Sequence, residues 1–283
     1  MLLSDELNAP PGVDPYRASV ARIYDYLLGG KDNYAVDREE AARIIAKMPE
    51  LADATRENRA FLIRAIRFLA TNAGITQFLD CGSGLPTAEN VHQVAQRINA
   101  DAKVVYSDYD PIVAANGRAL LEDTSRTRYI EADIFDTGSI LDDDTVRSHL
   151  NWNEPIAVLF VATLHHHKGD RGRPAEVTAE FLDRLPSGSY LVISHLVDPH
   201  DGSSDDAAIA ELREIVRTGS LRGVISRTQD EIRELFHTTE LIPPGPGRAP
   251  EVVPLMDWWP DGPLLHAPNV AQRIMVGGVG RKP

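Results

Sequence analysis

The rhythm of apolar positions changes once along this chain, near Gly74. From about Tyr16, Val20, Ile23, Tyr24, Leu27 and Leu28 fall at i, i+3, i+4, i+7 and i+8, which predicts a helix that Gly29-Gly30 ends. The spacing predicts a second helix from Asp37 to Met48 and a third from about Ala52 to Asn72. In the third, Phe61, Ala65, Phe68 and Leu69 share a face, and Asn72-Ala73-Gly74 supplies the stop. The first dozen residues, including Asn8-Ala9-Pro10-Pro11-Gly12, read as a flexible arm.

After Gly74, strands are expected near 76–80, 103–107, 127–131, 155–163 and 189–196, with helices near 86–99, 111–122 and 174–185. The stretches 156–161 and 190–193 are apolar without alternation, which suits central strands of a parallel sheet covered on both faces. Pro199 to Ser204 reads as a loop before a further helix, and Thr228-Gln229-Asp230-Glu231 has the form of a capping box for a helix ending near Phe236. Glu240-Leu241-Ile242 and Arg273-Ile274-Met275-Val276 are expected as the last two strands, with proline-rich Pro243 to Pro268 a long loop between them. The alternation predicts a Rossmann-like, doubly wound α/β sheet over residues 73–283. Residues 1–72 are expected to be an arm and a helical lid packed over the ligand edge of that sheet.

Composition narrows the class. With 283 residues, 43% hydrophobic and 25% charged, the chain has the make-up of a soluble globular protein. No apolar run approaches the length that crosses a bilayer, and the start, Met-Leu-Leu-Ser-Asp-Glu, lacks the pattern of a secretory signal. Cys81 is the sole cysteine, which excludes an intrachain disulfide or a cysteine metal cluster. A cytoplasmic protein is expected. The net charge of −13 argues against a nucleic-acid partner, since such proteins neutralise phosphates with basic surfaces. Arg56, Arg59, Arg64 and Arg67 recur along the third helix and read as a solvated face.

The chemistry concentrates at predicted strand ends, where open α/β sheets bind ligands. The run 77–87, Gln-Phe-Leu-Asp-Cys-Gly-Ser-Gly-Leu-Pro-Thr, reads as strand, glycine turn and helix start, with Pro86 able to open the helix. A second strand then ends in Asp108, 24 residues past Gly84, near the spacing of a ribose-binding acid. Thr87 stands where a pyrophosphate binder places its third glycine, and Asp80 would repel a phosphate. An adenosyl ligand with a positive amino-acid tail, such as S-adenosylmethionine, suits this loop better than NAD. Ala132-Asp133-Ile134 follows the third strand, and Thr163-Leu164-His165-His166-His167 the fourth. Each also has a structural reading: a glycine turn serves geometry alone, and Asp108 or Asp133 can begin a turn or cap a helix. The three histidines should diverge in an extended chain, so no metal site is expected. His165, closest to its strand, is the candidate for acceptor positioning or proton removal. Trp258-Trp259 is read as an anchor for the late loop.

The run 22–34, Arg-Ile-Tyr-Asp-Tyr-Leu-Leu-Gly-Gly-Lys-Asp-Asn-Tyr, followed by Asp37, closely resembles the N-terminal signature of an actinobacterial family. That family was first known as a domain of unknown function and is classed as S-adenosyl methyltransferase. Residues 78–87 with Asn90-Val91-His92 are similar to its glycine-loop motif, and Asp108-Tyr109-Asp110-Pro111-Ile112-Val113 to its second motif. The resemblance extends from about Tyr16 to Pro283 and implies a class I methyltransferase sheet of seven strands, the last antiparallel. It implies that Asp80, Gly82 and Gly84, flanking Cys81, line the methionine end of the cofactor. Asp108 would hold the ribose hydroxyls, Tyr109 lie along the adenine, and Asp133 with Ile134 meet the adenine edge. Thr163 is counted with the cofactor site, and Tyr24, Gly30, Asn33 and Tyr34 are expected to close over it. The chain departs from the family in His166, His167 and Lys168, where apolar residues usually follow the leucine-histidine. The leading expectation is an S-adenosylmethionine-dependent methyltransferase acting on a small metabolite. A cofactor-binding protein without turnover is the alternative, and an NAD-dependent oxidoreductase a third reading, disfavoured by Thr87.

Overall fold

Eight strands form one mixed sheet, and eleven helices surround it among the described residues. This computed structural model describes Ala9 and residues 13–87, 89–121, 125–200, 202–218, 224–263 and 266–283. Apart from Ala9, the expected arm lies outside the described residues.

Three helices lead: α1 (Val20–Leu27), α2 (Ala35–Ile45) and α3 (Leu51–Thr71). The alternation then runs β1 (Gln77–Cys81), α4 (Val91–Ile98), β2 (Lys103–Asp108), α5 (Pro111–Leu121) and β3 (Thr127–Glu131). Two short helices, α6 (Gly138–Leu141) and α7 (Asp144–His149), precede β4 (Ala157–Val161), α8 (Arg173–Arg184) and β5 (Tyr190–Leu196). The last part comprises α9 (Ser204–Thr218), α10 (Gln229–Glu234), β6 (Glu240–Leu241), β7 (Val253–Pro254), α11 (Val270–Arg273) and β8 (Met275–Arg281).

The strand order is β3-β2-β1-β4-β5-β8-β6, with β1 to β5 parallel and β8 antiparallel to its neighbours. This is the doubly wound sheet with an antiparallel last strand that the resemblance implies. The extra strand is β7, which pairs with Val276 and Gly277 of β8 while β6 pairs with Gly280 and Arg281. Two two-residue strands thus share the seventh position, on one edge of β8. Pro254 is tolerated there because an edge strand has one side free of ladder bonds. Every residue of β1 and β5 is buried, as strands covered on both faces must be.

Several expected boundaries move, among them the second helix, which is Ala35–Ile45, and the fourth strand, which is Ala157–Val161; two others have a clear local cause. The last strand begins at Met275 rather than Arg273, because Asn269 caps α11 by accepting from Gln272 N at 3.0 Å. The helix after the glycine turn begins at Val91, where Asn90 N donates to Gln93 Oε1 at 2.7 Å in a capping box, so Pro86 does not open it.

One core runs through the sheet and α3, with Phe61, Phe78, Phe160, Phe181, Phe236 and Trp258 fully buried. A second, small cluster joins Ile23 and Leu27 of α1 to Ala41 of α2. These two helices are also locked by a buried ion pair, Arg22 Nε to Asp37 Oδ2 at 2.6 Å. Trp258 makes edge-to-face contacts with Phe61 and Phe68, both at 5.6 Å, and Trp259 Nε1 donates to Pro243 O at 2.9 Å. The pair anchors the late loop.

β8 carries its glycines for packing. A Cβ on Gly277 would lie 2.7 Å from both the Ile193 carbonyl oxygen and a Leu255 methyl. Gly277→Val is therefore expected to destabilise the protein by about 2–3 kcal/mol, the upper part of the usual range for overpacking. Urea unfolding measures this, with Gly262→Ala, whose Cβ would meet nothing within 4 Å, as the near-neutral control.

Candidate active site

The carboxyl ends of β1 to β4 open into one cavity of about 530 Å³, within the usual size range of small-molecule sites. After β1 the chain turns through Gly82 at φ 80° and Gly84 at φ 65°, a left-handed conformation that glycine adopts without steric cost. Gly82 N and Ser83 N both donate to Ser107 O, at 2.8 and 3.0 Å, so the turn is tied to β2. A Cβ on Gly84 would meet nothing within 4 Å, leaving its backbone open to close approach. A Cβ on Gly82 would instead strike the Thr163 side chain, so this glycine lets the ends of β1 and β4 pack.

Asp108 accepts from Gly84 N through Oδ2 at 2.9 Å and from Asp110 N through Oδ1 at 3.0 Å. Burial pushes its carboxyl up to about 6, against those two backbone donors. Asp80 is also buried; that burial raises its carboxyl to about 7, opposed by the Arg59 charge and reinforced by Asp108. Tyr109 stands on the same wall with 67% of its surface exposed. Asp133, whose Oδ1 accepts from Phe135 N at 2.9 Å, and Ile134 complete the β3 end.

At the β4 end, Ala162 adopts φ 58°, a left-handed conformation uncommon for a residue with a side chain. Leu164–His166 then forms a 3-10 turn instead of extended chain, and all three histidines line the cavity. Burial holds the His165 imidazole well below the usual histidine range, with the His166 and His195 rings pushing the same way. Burial, with Lys168, brings His166 to about 4. Both rings are neutral at pH 7. His165 Nδ1 and Thr163 Oγ1 are buried without a hydrogen-bond partner among the described residues.

Helices from the N-terminal third form the opposite wall. Tyr24 of α1 lines the cavity, donating to Thr55 O at 3.2 Å and accepting from Asn58 Nδ2 at 2.8 Å. Asn58 Oδ1 accepts in turn from Ser194 Oγ at 2.6 Å, which ties this wall to β5. Gly30, Asn33, Tyr34 and Cys81 do not line the cavity. Asn33 Nδ2 donates to Asp25 Oδ2 at 2.8 Å, a Cβ on Gly30 would run into that carboxylate, and Tyr34 N donates to Asp37 Oδ2 at 2.8 Å. These three hold the α1–α2 turn. Cys81 is fully buried within β1, and burial raises its thiol well above its usual range.

Sequence reasoning missed Arg59. Arg56 and Arg67 are exposed in ion pairs with Asp53 and Asp261, but Arg64 is buried, bonded to Trp258 O at 3.0 Å and Glu57 at 2.8 Å. Arg59 lines the cavity, and its Nε is buried without a partner among the described residues. The signal was on α3 itself, where Thr55, Asn58, Arg59 and Leu62 share one helical face. Away from the cavity, Asp198, His200 and Asp206 bring ligand-type atoms within 4.8 Å of one another, but the Arg213 guanidinium already pairs with Asp198.

A sheet of this order, with a glycine turn after β1 and an acid ending β2, defines the class I methyltransferase fold. The chain belongs to the S-adenosyl methyltransferase family, which it matches over residues 6–283. It is similar to a Thermobifida fusca protein provisionally assigned as a methyltransferase, with 40% identity and a TM-score of 0.88 over 98% of this chain and 99% of that one. It is similar also to a DUF574 family protein from Streptomyces avermitilis, with 36% identity and a TM-score of 0.85 over 95% of this chain and 99% of that one. No curated protein matches it. The cofactor is S-adenosylmethionine. The donor set fits that molecule, because buried carboxyls, an unpartnered guanidinium nitrogen and an open glycine backbone suit a ligand bearing ammonium, sulfonium and carboxylate groups.

The raised carboxyls have a stability consequence. Between about pH 4 and pH 7 native Asp80 keeps a proton that the unfolded chain has released, so its contribution to stability falls as pH rises through that window. Asp80→Asn should then be more stable than wild type at pH 7.5 in the absence of ligand, by on the order of 1–3 kcal/mol. The advantage should shrink towards zero at pH 4, where the native carboxyl is already neutral. Urea unfolding at several pH values checks this, and an advantage independent of pH would contradict it.

Proposed function

We propose that the protein transfers a methyl group from S-adenosylmethionine to a small-molecule acceptor within the cavity at the ends of β1 to β4. The observation that carries this reading is the convergence of Asp80, Asp108, Arg59 and Thr163 on one cavity that continues beyond them between the helices. Asp80 is the partner for the ammonium of the methionine end, and Arg59 for its carboxylate. Asp108 accepts from the ribose hydroxyls, Tyr109 lies along the adenine, and Asp133 and Ile134 border its edge. The open backbone of Gly84 allows close approach, Gly82 packs the turn against Thr163, and Thr163 offers a hydroxyl.

Bound S-adenosylmethionine supplies a methyl group already activated by its sulfonium. What remains for the protein is to align the acceptor and exclude water. His165, neutral and with Nδ1 unpartnered, can take a proton from a hydroxyl acceptor at that atom. We read residues 1–72 as arm and lid. Tyr24 faces the site, while Gly30, Asn33 and Tyr34 hold the turn that carries it.

Thermal unfolding with S-adenosylmethionine, S-adenosylhomocysteine and NAD tests the reading. At one hundred times its dissociation constant, a ligand stabilises the native state by about 2.7 kcal/mol. The two adenosyl-sulfur ligands should raise the melting temperature of wild type, NAD should not, and the shift should disappear in Asp108→Ala. A shift with NAD alone would overturn the assignment.

A further inference from the structure

The cavity wall is divided by charge. Its charged side chains and its histidines come from the strand-end loops and from Arg59 of α3. The elements that close the other end, α2, α9, α11 and β8, contribute Ile44, Leu212, Ala271 and Met275, and among the described residues no polar side chain from them lines it. Ile274, which follows α11, and Leu62 of α3 extend the same surface. All six are at least nine-tenths buried, so this part of the lining belongs to the protein interior and is not an exposed surface patch.

Resting on the methyl-transfer reading, we infer that the acceptor is an uncharged, largely hydrocarbon or aromatic molecule bearing one hydroxyl or amine. Its apolar body sits in the chamber walled by Ile44, Leu62, Leu212, Ala271, Ile274 and Met275. A charged metabolite placed there would surrender its hydration and find no partner, which opposes binding. An apolar body gains by leaving water and meets apolar side chains there. The polar atom of the acceptor has a neighbour in His165 Nδ1, the buried imidazole nitrogen without a partner on the same cavity.

The test is calorimetric titration, at pH 7.5, of protein saturated with S-adenosylhomocysteine. The probes are 1-naphthol and 1-naphthoate, similar in size and different in charge. Naphthol should bind one to one and at least about tenfold more tightly than naphthoate. Ala271→Trp, which fills the chamber, should weaken naphthol by about tenfold or more while S-adenosylhomocysteine still binds. Leu212→Lys, which sets a cation in the wall, should reverse the preference towards naphthoate and serves should the tryptophan variant fail to fold. Naphthoate binding as tightly as naphthol to wild type would overturn the inference, as would absence of naphthol binding to the loaded protein. Failure of S-adenosylhomocysteine itself to bind strikes the methyl-transfer reading instead, and naphthol titrated into the ligand-free protein then still tests the chamber.

Discussion

Two carboxyl groups taken out of water at the ends of neighbouring parallel strands set the terms for the whole site. Asp80 and Asp108 are both buried, and among the described residues neither makes an ion pair, although the Arg59 charge acts on Asp80. Burial disfavours the ionised form and outweighs the backbone donors on Asp108 and the Arg59 charge near Asp80, so each keeps its proton to higher pH than a free carboxyl. A sheet spends backbone hydrogen bonds to hold such groups: Gly84 N and Asp110 N fix Asp108, and Ser107 O fixes the turn beside Asp80. The structure therefore carries a cost that a cationic ligand beside Asp80 would lower. Under the proposed role of Asp80, stability and recognition pull it in opposite directions, as expected where function and not packing decides a residue.

The N-terminal signature shows the opposite economy. Its polar residues are consumed internally, with Asp37 accepting from Ser19 N, Arg22 Nε and Tyr34 N, and Asp25 from Asp32 N and Asn33 Nδ2. Such a network gives a short helical hairpin a fixed shape that its small apolar cluster of Ile23, Leu27 and Ala41 is poorly able to impose alone. Ser19 Oγ then reaches Asp110 Oδ2 at 2.5 Å, joining the hairpin to the end of β2. Tyr24 thus reaches the cavity wall on a framework held by polar contacts at both ends.

Much of this was legible in the sequence, for identifiable reasons. The apolar runs of β4 and β5 and the glycine turn with its following acid are local patterns, and they put Asp80, Gly82, Gly84, Asp108, Tyr109, Asp133, Ile134 and His165 on one cavity. What escaped depends on contacts distant in sequence. The glycines of β8 carry no local signal for their role, yet they are needed because Phe61, Phe236 and Leu255 press on the strand. β7 hid behind Pro254, which only an edge position permits. Arg64 looked solvent-facing until its carbonyl partners at Trp258 and Leu255, about 190 residues away along the chain, were folded against it. The histidine run was read as extended chain, and the 3-10 turn that follows the left-handed Ala162 turns all three side chains towards one space.

The helix α3 connects packing to chemistry. One face, with Phe61, Ala65 and Leu69, belongs to the sheet core, and an adjoining face carries Thr55, Asn58, Arg59 and Leu62 to the cavity. A helix has one rotation about its axis, so whatever fixes the first face also aims the second. That rotation is fixed by Trp258, wedged edge-on against Phe61 and Phe68, and by Arg64 bonding the carbonyls of Leu255 and Trp258. The tryptophan anchor of a loop outside the cavity therefore governs where the Arg59 guanidinium stands inside it. The same packing holds Asn58 in reach of both Ser194 and Tyr24, so one side chain of α3 ties the first helix to the sheet beside the charged end of the site.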